Sequence, residues 1–343
     1  MTTLVTGATG FLGSHVARQL VAAGHSVRVL IRSTSNLQAL DGWNAERVVG
    51  DLQDGFSLAR AMKGVHRVFH VAADYRLWTR NPNEIYETNV GGTRRLLDVA
   101  GQAGVERFVY TSTVATIAVS DDPSSLPNEQ TQATLRQMIG HYKRSKFMAE
   151  LEAIKAADAG LPVVIVNPTA PVGPGDWKPT PTGRIIVDFL NGKMPAYVDT
   201  GLNLVPVEDA AAGHLLAAEK GRIGERYILG GRNMTLKQIL DALASISGRS
   251  APRVRLPHAV ALAAGYAEEF LSRLSGREPR IPVEGVKMSR HRMFVESGKA
   301  ERELGFKPGA VEPALERAVR WYGEHGYLRG RTGTKRVAHA QAA

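Results

Sequence analysis

At 343 residues, 43% of them hydrophobic, the chain can form one large domain or two layers sharing a cleft, which excludes a small stapled scaffold. The absence of cysteine excludes a disulfide framework, a thiolate nucleophile and Cys-based zinc or iron–sulfur sites; no metal site is expected, and a reducing cytoplasm is. The net charge of +10 is dispersed except at RHR (290–292) and RGRTGTKR (329–336). Without basic runs interleaved with aromatics, it suits a cleft for an anionic cofactor or substrate rather than nucleic acid.

The first residues, MTTLVTGATGFLG, enter a Gly-rich turn without a preceding basic region and do not read as a signal peptide. TLVTG predicts a strand, SHVARQLVAAG a helix closed by Gly24, and SVRVLIR a second strand. RVVGDL follows, then the helix GFSLARAMKG, the strand RVFHVAA, the helix GGTRRLLDVAGQAG and the strand RFVYTST. A helix containing HYKRSKFMAELEAIKAADAG and the strand LPVVIVNP complete the alternation. Strands alternating with helical periods predict an α/β fold, a Rossmann-type doubly wound parallel sheet of six or seven strands.

Beyond NPTAPVGPGD the rhythm changes. Residues 171–205 are rich in Pro and Gly, VEDAAAGHLLAAEKG returns to a helix and RYILGG to a strand, and residues 250–325 are helical and irregular. The expected division is a dinucleotide-binding unit over 1–170 and 206–248, a smaller substrate lobe over 171–205 and 249–328, and a disordered tail over 329–343. The longest apolar stretch, HAVALAAGYAEEFL from His258, is broken by Glu268 and Glu269, too short for a membrane span. The helix it predicts, from His258 to Leu274, offers an apolar wall for a substrate.

VTGATGFLG places Gly7, Gly10 and Gly13 between a strand and a helix. In such a turn Gly7 permits the tight bend, Gly10 lets backbone approach a pyrophosphate, and Gly13 lets the helix lie close to the sheet, its N-terminus facing the anion. The spacing Gly-x-x-Gly-x-x-Gly, with TG before it and FLG behind, resembles the extended short-chain dehydrogenase/reductase family over most of the chain. That resemblance implies that Thr9, Phe11 and Leu12 line the cofactor with the glycines. It also implies adenine contact at Asp51 and Leu52, a stabilising turn from His70 through Ala72 and Ala73, and cofactor contacts at Pro168 and Thr169.

YKRSK sets Tyr142 and Lys146 four residues apart, on one face of a helix. Carbonyl reduction needs a proton for the developing alkoxide, and alcohol oxidation needs a base for the same proton. Tyrosine's ordinary pKa of about 10 suits neither at neutral pH, and a fixed ammonium lowers it. Tyr142 is therefore the candidate acid/base, with Lys146 its tuner and ribose anchor. In the family alignment Thr113 is the group that hydrogen-bonds the substrate oxygen, with Ser112 its neighbour, and Asn89 is the helical asparagine that relays protons toward Lys146. Family dehydratases follow this threonine with Asp-Glu; Val114 and Ala115 here point away from sugar dehydration.

The segment DYRLW places Tyr75, Arg76 and Trp78 just beyond a strand end, where open α/β sheets bind ligands. The aromatics can pack on a ring and Arg76 can hold an oxyanion or hydroxyl. This string, with NVGGT, YILGGRNMTLKQIL and GREPRIPVEGVKMSRHRMF, closely resembles the hopanoid-associated sugar epimerases, themselves similar to dihydroflavonol reductases. Nucleotide-sugar epimerases of this type clamp the substrate diphosphate with an arginine where this chain aligns Leu202. A second clamp falls on Lys287, Arg290 or Arg292, and Arg290 is taken as the candidate.

Arg32 ends the second strand where NAD-binding relatives often carry an acid. With Ser33 and Ser35 it would attract a 2′-phosphate, so NADP(H) is favoured and NAD(H) remains possible. The expectation is a cytoplasmic NAD(P)-dependent enzyme transferring hydride at a C=O/CH–OH centre, homodimeric as its relatives usually are. The alternatives are an epimerase with retained NAD and a non-catalytic redox sensor.

Overall fold

The computed structural model describes residues 1–117, 125–275 and 277–328; the expected tail at 329–343 lies outside them. The chain begins with β1 (Thr2–Thr6), α1 (Phe11–Ala22), β2 (Ser26–Ile31), β3 (Glu46–Val49), α2 (Gly55–Met62) and β4 (Val65–His70). A continuous helical segment follows, α3 (Asn83–Tyr86), a π-turn over Glu87–Gly91 and α4 (Gly92–Ala103). Next come β5 (Arg107–Thr111), α5 (Gly140–Asp158) and β6 (Val163–Pro168). The remainder comprises β7 (Ala170–Val172), α6 (Pro181–Leu190), β8 (Ala196–Val198), β9 (Gly201–Pro206), α7 (Val207–Lys220), β10 (Arg226–Leu229), β11 (Arg232–Thr235) and α8 (Leu236–Ser247). It closes with β12 (Val254–Leu256), α9 (His258–Ser275), α10 (Val283–Met288), β13 (Arg292–Met293), α11 (Gly298–Leu304) and α12 (Val311–Glu324).

Seven parallel strands form the main sheet in the order β10-β6-β5-β4-β1-β2-β3. This is the doubly wound Rossmann arrangement, and its order reverses between β1 and β4, the crevice where such sheets hold ligands. Neighbouring apolar residues on one strand serve opposite faces. Val5, Val109 and Val164 join one core with α1 and α7, while Leu4, Phe108 and Ile165 join the other with α2, α4 and α5. Both faces are covered, which explains why the strands read as near-continuous apolar runs.

A second core is built by Val172, Ile186, Leu204, Leu240 and Leu315, around a small sheet in which β9 pairs with β7, β11 and β13. Two segments fall on the other side of the expected division. β11 and α8, expected with the nucleotide-binding unit, pack here because β11 pairs antiparallel with β9 and Leu236, Ile239, Leu240 and Leu243 fill this core. Conversely α11 and the residues just after it, expected in the substrate lobe, return Ala300, Leu304 and Phe306 to the main sheet's core.

The helix α9 does not wall a cleft with its apolar residues. Only Gly265 and Ser272 are buried in it, while Val260, Tyr266, Phe270, Leu271 and Leu274 are exposed. Among the described residues no helix is long and apolar enough to cross a membrane, and no group of His, Asp or Glu is arranged to hold a metal ion.

Candidate active site

The glycine turn opens at the carboxyl end of β1. Gly7 has φ +76°, and a Cβ there would lie 2.6 Å from the Ala72 nitrogen. A Cβ at Gly13 would lie 2.1 Å from the Gly7 oxygen, so the fold itself requires both glycines. Gly10 differs, being exposed, with only the Gly7 oxygen, 3.2 Å away, near its would-be Cβ. Its smallness serves whatever approaches from outside. Gly10 also heads α1 without any side-chain cap, which leaves the first-turn N–H groups of Phe11 and Leu12 facing the crevice mouth. Thr9, Phe11 and Leu12 are half-buried along this turn. The cradle fits a dinucleotide pyrophosphate.

The turn after β4 is tied to it. Thr6 Oγ1 accepts the Ala72 N–H at 3.3 Å and meets His70 Nδ1 at 2.7 Å, while His70 Nε2 meets Thr93 Oγ1 at 3.0 Å. Burial, reinforced by the Lys146 charge, pushes His70 down to about 3, so it is a neutral strut. Ala72 and Ala73 are half-buried beside Gly7. At the end of β6, Pro168 is buried and Thr169 bonds the Leu229 carbonyl through its N–H at 3.2 Å.

Arg32 and Ser33 are exposed just past β2, and no carboxylate pairs with the Arg32 guanidinium among the described residues. Ser35 Oγ accepts the Arg32 backbone N–H at 3.0 Å and so holds the turn that presents the guanidinium. Asp51 accepts the Gln53 N–H at 2.9 Å on one carboxylate oxygen, and Leu52 is buried against Gly92.

The chemical group sits on the first turns of α5 and the end of β5. Tyr142 is half-buried; desolvation pushes its phenol up, and the neighbouring Thr113 side chain pulls it partly back. Thr113 Oγ1 also accepts the Ala115 N–H at 3.2 Å. Ser112 is 4% exposed and its hydroxyl has no hydrogen-bond partner among the described residues. Lys146, 2% exposed, donates to Tyr110 Oη at 3.0 Å and to the Thr111 carbonyl at 2.8 Å. An ammonium has three donors, so one proton is left for a ribose hydroxyl. Burial pushes Lys146 down to about 7, opposed by Glu150 one turn on. The expected lowering of the tyrosine is therefore not displayed here, because burial dominates both groups.

Asn89 makes no direct hydrogen bond to Lys146. It pairs with the Asp74 peptide, accepting its N–H at 2.7 Å and donating to its carbonyl at 2.9 Å, and donates to Ser145 Oγ at 2.9 Å. It lies in the π-turn, a wide turn frequent at functional sites, and ties the loop after β4 to α5. Glu284 of α10 reaches the start of the same helix, accepting the His141 N–H at 3.0 Å. A Cβ at Gly140, φ +83°, would lie 2.2 Å from Glu284 Oε2.

Behind the site lies a polar network that sequence reasoning missed. Glu150, 2% exposed, accepts from Arg226 at 3.0 Å, from Thr116 Oγ1 at 2.9 Å and from Asn167 Nδ2 at 2.8 Å. Arg226 also donates to the Glu129 carbonyl, and Glu129 Oε1 accepts the Ile228 N–H at 2.7 Å. The ion pair fixes α5 against the sheet.

On the substrate side, Tyr75 is half-buried and donates to the Lys178 carbonyl at 3.3 Å, and Trp78 is half-buried nearby in sequence. Arg76 is not free to serve as an oxyanion holder. Its guanidinium forks onto Asp74 at 2.6–3.0 Å and reaches Glu84 at 3.0 Å, and these carboxylates raise its pKa further. Leu202 lies in β9 and packs on the lobe core. Arg290 is exposed after α10, whereas Arg292 pairs with Asp199 at 3.1 Å. Surface depressions of about 490 and 330 Å³ open elsewhere, the first near the amino ends of β4 and β5 around His66 and Gly104 and the second around Arg222 and Glu303; neither reaches Tyr142.

The model of the NAD dependent epimerase/dehydratase family matches residues 3–230. The chain belongs to that family. As an epimerase/dehydratase-family protein it is 46% identical to a putative dihydroflavonol 4-reductase of Synechocystis sp., over 95% of each chain. It is 38% identical to sterol demethylase protein B of Methylococcus capsulatus, over 96% of this chain and all of that one. The solved structure of gox2253 superposes with a TM-score of 0.86 at 46% identity, covering 96% of this chain and 99% of that one.

Proposed function

We propose that this family member is an NAD(P)-dependent oxidoreductase acting at a C=O/CH–OH centre, dihydroflavonol reductase-like, with NADPH favoured. The observation that carries the reading is the placement of Tyr142 one turn before the buried Lys146 on α5, beside Thr113 just past the end of β5, with Lys146 holding one donor in reserve. Bound NAD(P)H would supply the hydride and NAD(P)+ accept it. Thr113 would orient the substrate oxygen, and the Tyr142 phenol would give its proton to that oxygen in reduction or take it back in oxidation. The Gly7–Gly13 turn, Asp51 and Lys146 would hold the dinucleotide; Arg32 and Ser33 would read a 2′-phosphate.

Leu202 in place of a cation weakens the diphosphate clamp that an epimerase working on nucleotide sugars needs, and Arg76 is already paired with two acids. The two named relatives, a putative dihydroflavonol 4-reductase and sterol demethylase protein B, agree with a substrate outside the nucleotide sugars. We also propose a cytoplasmic homodimer through α4 and α5, where Met148 and Leu151 are exposed.

Fluorescence titration tests the cofactor half without a substrate. NADPH should bind about tenfold or more tighter than NADH, and Arg32→Asp should reverse the preference. Purified protein carrying tightly held NAD and consuming no added NADPH with any ketone would sink the reductase reading in favour of the epimerase.

A further inference from the structure

Lys143 neighbours Tyr142 on α5 and is 6% exposed. Its ammonium meets Met293 Sδ of β13 at 3.5 Å, a weak acceptor without charge, and no carboxylate pairs with it among the described residues. Lys146, one turn on, is buried as deeply but has a phenol and a carbonyl as acceptors, with Glu150 beside it. An ammonium buried without a partner destabilises a fold and is kept where something else completes it.

We propose that Lys143 is a specificity-determining residue whose ammonium holds a carboxylate carried by the substrate, a few bonds from the carbon at which Tyr142 works. Successive residues of a helix diverge by about 100°. A ligand served by both would span from the reacting oxygen at Tyr142 to a second, unchanged group at Lys143, with Thr113 and its neighbour Val114 linking the two places. The surroundings set the rest of the ligand's character. Met293 packs against Val114, Ile117 and Val295, and Val114 follows Thr113, so the ammonium stands at the edge of an apolar patch. Burial pushes Lys143 down to about 8, which leaves it mostly charged at neutral pH. One such cation neutralises one negative charge. A carboxylate would be matched, whereas a diphosphate would leave charge uncompensated beside that patch.

The inference rests on the oxidoreductase reading but can be tested apart from it. Calorimetric titration of the full-length protein with NADP+ present would use cyclohexanecarboxylate and cyclohexanecarboxamide as probes. The wild type should bind the carboxylate about tenfold or more tighter than the carboxamide; Lys143→Met should erase that difference, and Lys143→Arg should restore most of it. Equal affinity of the wild type for the two probes, or an unchanged preference in Lys143→Met, overturns the proposal. Tyr142→Phe should keep the preference. A carboxylate preference in a protein that transfers no hydride with either cofactor leaves the anion site standing and removes the oxidoreductase reading instead.

Discussion

Helices α5 and α9 are of similar length and use their side chains in opposite ways. Within α5 the buried residues include Lys143, Ser145, Lys146 and Glu150, while Met148 and Leu151 are left exposed. Within α9 the exposed residues include Val260, Phe270, Leu271 and Leu274, while Gly265 and Ser272 are buried. A helix that buries polar residues generally does so where partners await them, and Lys143 is the exception in α5. For α5 these are Tyr110, Thr116, Asn167, Arg226 and Asn89, contributed by β5, the short turn that follows it, β6, β10 and the π-turn. The apolar residues of α9 thus face outward, while polar residues of α5 face the sheet.

Four substitutions separate the behaviour of the two helices. On Tyr142 the largest effect is expected: Tyr142→Phe should retain cofactor binding and lose two orders of magnitude or more in turnover, and near-normal turnover would refute the acid/base role. Next is Glu150→Gln, which leaves Arg226 without its charged partner and should cost about 3 kcal/mol in denaturant unfolding; a change below about 1 kcal/mol would show that the network does not anchor α5. Lys143→Met should act in the other direction, stabilising the protein by about 1–3 kcal/mol because an unpaired buried ammonium is removed. Phe270→Ser on α9 should change stability by less than about 0.5 kcal/mol, against the 3–5 kcal/mol typical of a packed phenylalanine.

The same lysines set a pH dependence. Both are held below the ordinary 10.5, at about 8 for Lys143 and about 7 for Lys146. Between those values and 10.5 the unfolded chain binds more protons than the folded one, so stability from this source rises as pH climbs through that window. Lys143→Met should flatten the rise above pH 8 in unfolding experiments carried out across it.

The glycine turn and the Tyr-x-x-x-Lys spacing are legible because each is a local device, complete within a few residues of one turn or helix. The same holds in principle for α6, whose Thr180 cap and Pro181 start are ordinary helix signals, although the Pro and Gly around them suggest only a loop. Arg76 was readable too, since Asp74 stands two residues before it and Glu84 eight after. The Glu150–Arg226 pair was not. Its members lie 76 residues apart, and only the β5-β6-β10 order brings them together. Lys143 is hidden for a related reason: its burial comes from β13, about 150 residues later.

The π-turn at Glu87–Gly91 holds one residue more than a regular helix would use. Deleting a single residue there would let the segment from Asn83 to Ala103 close into an ordinary α-helix, with better internal hydrogen bonding. It would also turn the preceding residues by about 100° and carry the amide of Asn89 away from Asp74 and Ser145. The extra residue is thus an insertion that the chain retains against its own helical preference, and a shortened chain would be a firmer helix attached to a looser active site.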